Sequence, residues 1–149
     1  MIVTLTLNGK KIVDDIAPDE MLLDFVRRHG CYSVKRGCDT TNCGLCTIWV
    51  DEKPVLSCSY LAARAEGRSV TTLEGVQEEA KALGECMASE GAEQCGFCSP
   101  GFIMAALAMR RELHNPTEAE INEYLKGNLC RCTGYMSHMR AIKKWMEVR

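Results

Sequence analysis

The chain has 149 residues, of which 46% are hydrophobic and 26% charged, and its formal net charge is −2 at pH 7. This composition excludes a disordered chain, and no apolar run is long enough for a membrane-spanning helix. The near-neutral charge argues against nucleic acid or an anionic membrane surface as a partner. No basic segment followed by an apolar run marks a secretory signal, so we expect a cytoplasmic protein without membrane insertion.

The first half of the chain, residues 1–75, predicts a small α+β domain. Strands are predicted at residues 2–7, 10–16, 47–50, 55–58 and 69–73 from alternating or continuous apolar patterns. The Asn8-Gly9 pair between the first two is a strong hairpin signal. Asp19 predicts the N-cap of one short helix, and Gly30 predicts its C-terminal end.

The second half, residues 76–149, has apolar residues at helical spacing and predicts four helices. They are expected over residues 76–87, 99–113, 117–127 and 137–146. Thr117 and Glu120 form a capping-box pattern that opens the third helix, and Ser137 predicts the N-cap of the fourth. The fold class predicted for the whole chain is therefore α+β, with a helical bundle as its second domain.

Four cysteines in the first half form one predicted metal-ligand set. They are Cys38, Cys43, Cys46 and Cys58, in a C-x4-C-x2-C run closed by a distant fourth cysteine. This is the spacing of plant-type [2Fe–2S] ferredoxins. Gly37 and Gly44 allow the backbone to approach a cluster closely, and Lys35 and Arg36 flank the loop, where their charge favours thiolates.

Four more cysteines in the second half form a second set. Cys95 and Cys98 make a C-x-x-C pair, and Cys130 and Cys132 make a C-x-C pair. Two sets of four thiols favour electron transfer through two clusters. Zinc is a rival because C-x-x-C pairs are typical zinc ligands, but a zinc ribbon built on such pairs leaves four cysteines without a role. Disulfides and simple burial in a core are further alternatives.

The remaining cysteines and the histidines predict no site. Cys31 and Cys86 fit buried structural positions. His29, His114 and His138 are isolated in the sequence, and each is predicted to lie at the surface or at a helix cap.

Two further motifs complete a resemblance that covers essentially the whole chain. Residues 94–101 read QCGFCSPG and residues 127–135 read GNLCRCTGY. Together with the Cys38 loop, they resemble the iron–sulfur subunit of the molybdenum hydroxylases, the family of xanthine dehydrogenase and aldehyde oxidoreductase. The loop at residues 39–42 departs from the glycine-rich, acidic form of many relatives but keeps the ligand spacing.

This resemblance implies a ferredoxin-like β-grasp domain followed by a four-helix bundle, each holding one [2Fe–2S] cluster. It implies an electron-transfer subunit that is not catalytic alone. A large partner subunit would carry the molybdenum–pterin cofactor, and another subunit would carry FAD as acceptor. Gln94, by hydrogen bonding, and Cys132, by contact, would lie beside the pterin. A free-standing ferredoxin-type carrier is the alternative.

Overall fold

The structure is a computed structural model that describes residues 1–147. Its strands are β1 (Ile2–Leu7), β2 (Lys10–Asp15), β3 (Thr47–Val50), β4 (Lys53–Leu56) and β5 (Ser69–Thr71). Its helices are α1 (Leu22–Arg28), α2 (Gln77–Ser89), α3 (Ser99–Glu112), α4 (Glu118–Leu125) and α5 (Met136–Met146). The predicted α+β class, with a sheet domain before four helices, is confirmed.

The strands form one five-stranded mixed sheet in the order β2-β1-β5-β3-β4. β1 and β2 form an antiparallel hairpin, whereas β1 and β5 run parallel. Asn8 and Gly9, with φ of 49° and 80°, make the tight turn that the sequence predicts. α1 packs its apolar face on the sheet, where Leu5, Phe25 and Ile48 are almost fully buried. This is the predicted ferredoxin-like arrangement.

The second half is built around α3. Ten of its fourteen residues are buried, so this helix is enclosed on nearly all sides by its neighbours. α4 begins with the predicted capping box, in which the Thr117 hydroxyl and the Glu120 carboxylate each accept the other residue's backbone N–H. The helix ends at Leu125, two residues before the predicted end.

The sheet and the helices share an interface. The Trp49 indole on β3 donates a hydrogen bond of 2.9 Å to the carbonyl oxygen of Met104 in the middle of α3, and the guanidinium of Arg111 lies 3.9 Å from the indole ring centre. The Asn128 side chain donates to the carbonyl oxygens of Gly44 and Gly101 over 3.1 and 3.3 Å. These contacts bring the two cysteine-bearing regions against each other.

Two predicted N-caps are wrong. α1 begins at Leu22 with Met21 at the cap, and Asp19 makes no cap, because Met21 forms a β-bridge with Leu61 that keeps the chain extended up to that point. α5 begins at Met136, so Ser137 lies inside it.

The strand predicted at residues 55–58 begins two residues earlier. Asp51 and Glu52, both with positive φ, form a tight turn that already pairs Val50 with Lys53. Cys58 therefore lies in a short 3₁₀ turn, Ser57–Ser59. The division into domains 1–75 and 76–149 stays a prediction, and residues 148 and 149 of the second lie outside the described part.

Candidate metal centres

The first cysteine set converges although its members lie on separate segments. Cys38, Cys43 and Cys46 lie on the loop between α1 and β3, and Cys58 lies in the turn after β4. The thiol of Cys38 is in hydrogen-bonding range of that of Cys43, and the thiol of Cys46 is in range of that of Cys58. Cys38 and Cys58 are also close enough to interact electrostatically. The structure thus gathers all four predicted residues.

Ser57 joins the two segments of the first set. Its hydroxyl and its backbone N–H donate to the carbonyl oxygen of Cys46 over 2.7 and 3.2 Å. The side chain is fully buried, so these bonds are shielded from water. The sequence alone does not single out Ser57, whose only local signal is that it precedes Cys58.

The thiols of the first set have opposite pKa shifts. Backbone N–H groups of Asn42, Cys43 and Thr40 lower the pKa of Cys38 to about 6. Burial, together with the neighbouring Cys46, raises the pKa of Cys58 to about 12. Backbone donors therefore favour a thiolate at one position, while burial at another disfavours a thiolate unless a cation balances it.

The glycines of the first loop fit a group held close to the backbone. A Cβ on Gly37 would lie 3.2 Å from the Cys43 sulfur and 2.7 Å from the Leu45 side chain. Gly44 has φ of +75°, and a Cβ there would overlap the backbone of Gly127. Gly44 therefore requires glycine, whereas a side chain at Gly37 would crowd the Cys43 sulfur and displace the end of the Leu45 side chain.

The second cysteine set also converges. Cys95 and Cys98 precede α3, and Cys130 and Cys132 lie between α4 and α5. The sulfurs of Cys95 and Cys132 are 3.4 Å apart, and the sulfurs of Cys98 and Cys130 lie within 4.8 Å of each other. All four line one cavity of about 300 Å³, which Cys43 of the first set also lines.

Burial and donors are unevenly distributed over this second set. Burial and the nearby Cys130 raise the pKa of Cys98 to about 12, whereas the backbone N–H of Phe97 lowers the pKa of Cys95. The buried Cys98 needs a nearby positive charge in order to lose its proton. A cavity lined by four sulfurs therefore suits a cationic core. Cys95 and Cys132 are exposed at the mouth of the cavity.

An apolar rim surrounds that mouth. We use this term for three large side chains that line the cavity and are 43% to 48% exposed: Phe97, Leu129 and Tyr135. Gln94, also exposed, donates a hydrogen bond of 3.3 Å to the carbonyl oxygen of Cys132. The two residues predicted to lie beside a pterin are therefore in direct contact with each other.

His138 is buried, so its predicted position at the surface or at a helix cap is wrong. It is 3% exposed, and its ring stacks on Phe102 with centroids 4.5 Å apart. A ring nitrogen and the sulfurs of Cys98 and Cys130 all lie within 4.8 Å of one another. Burial lowers the pKa of the imidazole, which favours its neutral form. The available signal was the apolar spacing of α5, which puts His138 on the face of Ala141 and Ile142.

The other isolated residues behave largely as expected. His29 is at the C-cap of α1, where its Nδ1 lies 2.8 Å from the Phe25 carbonyl oxygen. Cys31 is buried in the sheet core, and Cys86 on α2 is half-buried. Within residues 1–147, each helix is too short or too polar to cross a membrane.

Comparison with protein families matches both halves of the chain. Residues 5–70 match the 2Fe-2S iron-sulfur cluster binding domain, and residues 72–143 match the [2Fe-2S] binding domain. The chain therefore carries two [2Fe–2S]-binding domains, which favours iron–sulfur clusters over zinc.

Relatives that match this chain over nearly their whole length identify the family more closely. The chain is 44% identical over 144 residues to the xanthine dehydrogenase iron-sulfur-binding subunit of Escherichia coli O157:H7, covering 92% of this chain and 89% of that protein. It is 40% identical over 148 residues to the nicotinate dehydrogenase small FeS subunit of Eubacterium barkeri, covering 97% and 94%. A chain of the crystal structure of quinoline 2-oxidoreductase from Pseudomonas putida 86 superposes with a TM-score of 0.88 at 40% identity, covering 95% and 90%. On these matches and its two converging cysteine sets, the chain belongs to the family of iron–sulfur small subunits of molybdenum hydroxylases.

Proposed function

We propose that this chain passes single electrons, within a larger complex, from a molybdenum–pterin centre in a partner subunit toward FAD in another. The observation that carries this proposal is the contact between the two cysteine sets. The backbone N–H of Leu129, the residue before Cys130, donates to the carbonyl oxygen of Cys43 over 2.8 Å. Two sites joined so directly suit a relay in which neither has to move.

In this proposal the first set, in the domain of residues 1–75, holds one [2Fe–2S] cluster. The second set, in the domain of residues 76–149, holds the other. The clusters, when bound, supply one-electron carriers. The chain supplies eight sulfur ligands, backbone N–H donors for them, and a rigid interface that keeps the two sites at a constant separation.

The apolar rim supports a permanent partner at the second site. A free-standing carrier that docks transiently would be expected to have a charged, hydrated surface around its exposed cysteines, whereas Phe97, Leu129 and Tyr135 offer apolar area there. The relatives named above are themselves subunits. We infer that the rim packs against the large molybdenum subunit, with Gln94 and Cys132 touching the pterin.

The exposed loop of the first cysteine set suits the electron acceptor. The loop at residues 39–42 is exposed beside the half-buried Cys38, so a flavin-bearing subunit would reach the first site there. We also propose a cytoplasmic location, because cysteines that bind clusters must stay reduced and a reducing compartment keeps them so.

The ligand assignment is tested by exchanging single cysteines in the purified native complex under anaerobic conditions. Cys98→Ser is expected to remove the electron paramagnetic resonance (EPR) signal of the second cluster and about two of four irons per chain, and to keep the first signal. Cys86→Ser, which changes a half-buried thiol outside both sets, is the matched control and is expected to keep both signals. A Cys98→Ser protein with four irons and both signals would contradict the assignment.

The partner assignment is tested on the same material. The native complex is expected to contain molybdenum and a large subunit that copurifies through size-exclusion chromatography. Gln94→Leu is expected to keep all four irons but to slow electron exchange with the pterin centre. A chain that purifies alone with full iron content would instead support the free carrier.

A further inference from the structure

The residues that follow Cys132 turn back and form hydrogen bonds with Cys130. The Thr133 hydroxyl donates a hydrogen bond of 3.2 Å to the Cys130 sulfur, and the Cys130 backbone N–H donates to the Tyr135 hydroxyl over 3.1 Å. The Tyr135 N–H in turn donates to the Thr133 oxygen over 3.3 Å. Tyr135 has φ of +68°, a conformation that is strained for a bulky residue and is retained where its surroundings impose it.

The Cys130 sulfur differs from the other predicted ligands. Within residues 1–147, it is the one sulfur of the two sets that accepts a hydrogen bond from a side-chain hydroxyl. Backbone N–H groups of Thr133 and Cys132 also point at it.

His138 bears on where the Thr133 hydrogen points. Its Nδ1 lies 3.5 Å from the Thr133 oxygen, slightly farther than the Cys130 sulfur. A threonine hydroxyl has one hydrogen and two lone pairs, and the Tyr135 N–H already occupies one lone pair. The other ring nitrogen, Nε2, is buried and has no hydrogen-bond partner among the described residues, so the ring hydrogen finds an acceptor at Nδ1 and not at Nε2. Nδ1 then donates to the Thr133 oxygen, and the hydroxyl hydrogen is left for the sulfur. The stacking of His138 on Phe102 holds the ring in place for this bond.

We propose that the Thr133 hydroxyl raises the reduction potential of the second cluster, and that His138 is the positioning residue that directs this hydroxyl at the Cys130 sulfur. This inference rests on the proposed function, since it requires a cluster on the second set. A cluster that gains one electron gains one negative charge, which spreads onto its sulfur ligands. A hydrogen bond to sulfur stabilises that reduced form more than the oxidised form, so it favours electron uptake.

The redox step involves one electron and no proton. In the complex the electron comes from the reduced molybdenum centre of the partner, and in the test it comes from dithionite. The hydroxyl keeps its hydrogen throughout, because it acts only as a donor. As a consequence, the second site would accept electrons more readily than it would without the Thr133 hydrogen bond.

The experiment is an EPR-monitored redox titration of both clusters in the purified native complex. Thr133→Val removes the donor and keeps the shape, and Thr133→Ser is the matched control that keeps the hydroxyl. We expect Thr133→Val to lower the equilibrium constant for reduction of the second cluster about tenfold. For a one-electron couple this corresponds to a reduction potential that is about 59 mV lower. The first cluster and the Thr133→Ser protein are expected to keep their potentials.

A second pair of variants tests the positioning role. His138→Phe keeps an aromatic ring on Phe102 but removes Nδ1, and it is expected to lower the potential of the second cluster by less than Thr133→Val does. In the double variant, His138→Phe is expected to add nothing, because the hydroxyl it directs is already gone. Equal effects of His138→Phe with and without the hydroxyl would overturn the positioning role.

The outcomes separate this inference from the proposed function. A Thr133→Val complex with four irons, both EPR signals and an unchanged potential overturns the inference and leaves the relay standing. A wild-type complex without a second cluster overturns the relay itself. If Thr133→Val fails to retain its second cluster, Thr133→Ala, which removes the hydroxyl with a smaller side chain, is titrated in its place and judged by the same shift.

Discussion

The backbone N–H of Leu129 and the carbonyl oxygen of Cys43 form a hydrogen bond of 2.8 Å. Cys43 belongs to the first cysteine set, and Leu129 directly precedes Cys130 of the second. The neighbouring Asn128 side chain contacts the carbonyl oxygens of Gly44 and Gly101. Residues 128 and 129 therefore help to hold the two candidate centres together.

Asn128→Ala is expected to weaken this junction. The substitution removes one donor from each of the carbonyl oxygens of Gly44 and Gly101, but the Gly44 oxygen keeps the hydroxyl and the backbone N–H of Thr47 as donors. The expected loss of unfolding free energy is therefore about 0.5–1.5 kcal/mol per hydrogen bond. Asn122→Ala, at an exposed position on α4, is the matched control and is expected to change stability by less than about 0.5 kcal/mol. Anaerobic denaturant titration measures both, and equal losses in the two variants would contradict the assigned role of Asn128.

Gly44→Ala is expected to prevent the two halves from packing. The residue has φ of +75°, and a Cβ there would overlap the Gly127 carbonyl oxygen, a backbone atom that has little freedom to move. Gly91→Ala is a matched control, because Gly91 has φ of +63° but open space around its Cβ. The control is expected to cost about 1–2 kcal/mol from its backbone conformation alone.

The contrast between these two glycine variants is read from iron content and from the thermal midpoint. Gly44→Ala is expected to lose iron and to melt well below Gly91→Ala. If the two variants behave alike, the close approach of the Gly44 loop to Gly127 does not constrain the fold.

The ionised Glu74 side chain is expected to stabilise the fold at neutral pH and to lose this effect in acid. Burial opposes its ionisation, but hydrogen bonds from the Ser33 hydroxyl and backbone and from the Thr72 hydroxyl lower its pKa below the usual value. A lowered folded-state pKa means that this contribution is present above the pKa of the unfolded chain, near 4.5, and is lost as the pH falls through the folded value.

Glu74→Gln is therefore expected to lower stability at pH 7 and to flatten the decline of stability below about pH 4.5. Glu78→Gln, at an exposed position in the first turn of α2, is the control and is expected to keep the wild-type pH profile. Unfolding free energies measured from pH 7 to pH 3 test this, and an unchanged slope in Glu74→Gln would refute it.

Gly84→Ala is expected to stabilise the protein. Gly84 lies inside α2, its φ is not positive, and a Cβ there would meet no atom within 4 Å. Alanine at such a position gains about 0.5–1 kcal/mol because it restricts the unfolded chain more than glycine does. A rise in the thermal midpoint with unchanged iron content is the expected result, and a fall would show that α2 requires the extra freedom.

Local patterns predicted much of this protein. The hairpin at Asn8-Gly9, the capping box at Thr117 and the family membership all follow from residues that lie close together in the chain. The eight-cysteine ligand set stays a prediction, although the structure gathers each set of four around one place. Cysteine spacing is informative because a cluster needs sulfurs at separations that short loops can provide.

What the chain alone left undecided depends on contacts between distant segments. The prediction of Asp19 as an N-cap is wrong because Met21 pairs with Leu61, which is distant in the sequence. The prediction of a surface or capping position for His138 is wrong because α5 places this residue beside Cys98 and Cys130. Sequence periodicity reports which face of a segment is apolar, but not which segment will cover it. The cysteine spacings therefore predicted the chemistry, and tertiary packing decided which side chains surround each sulfur.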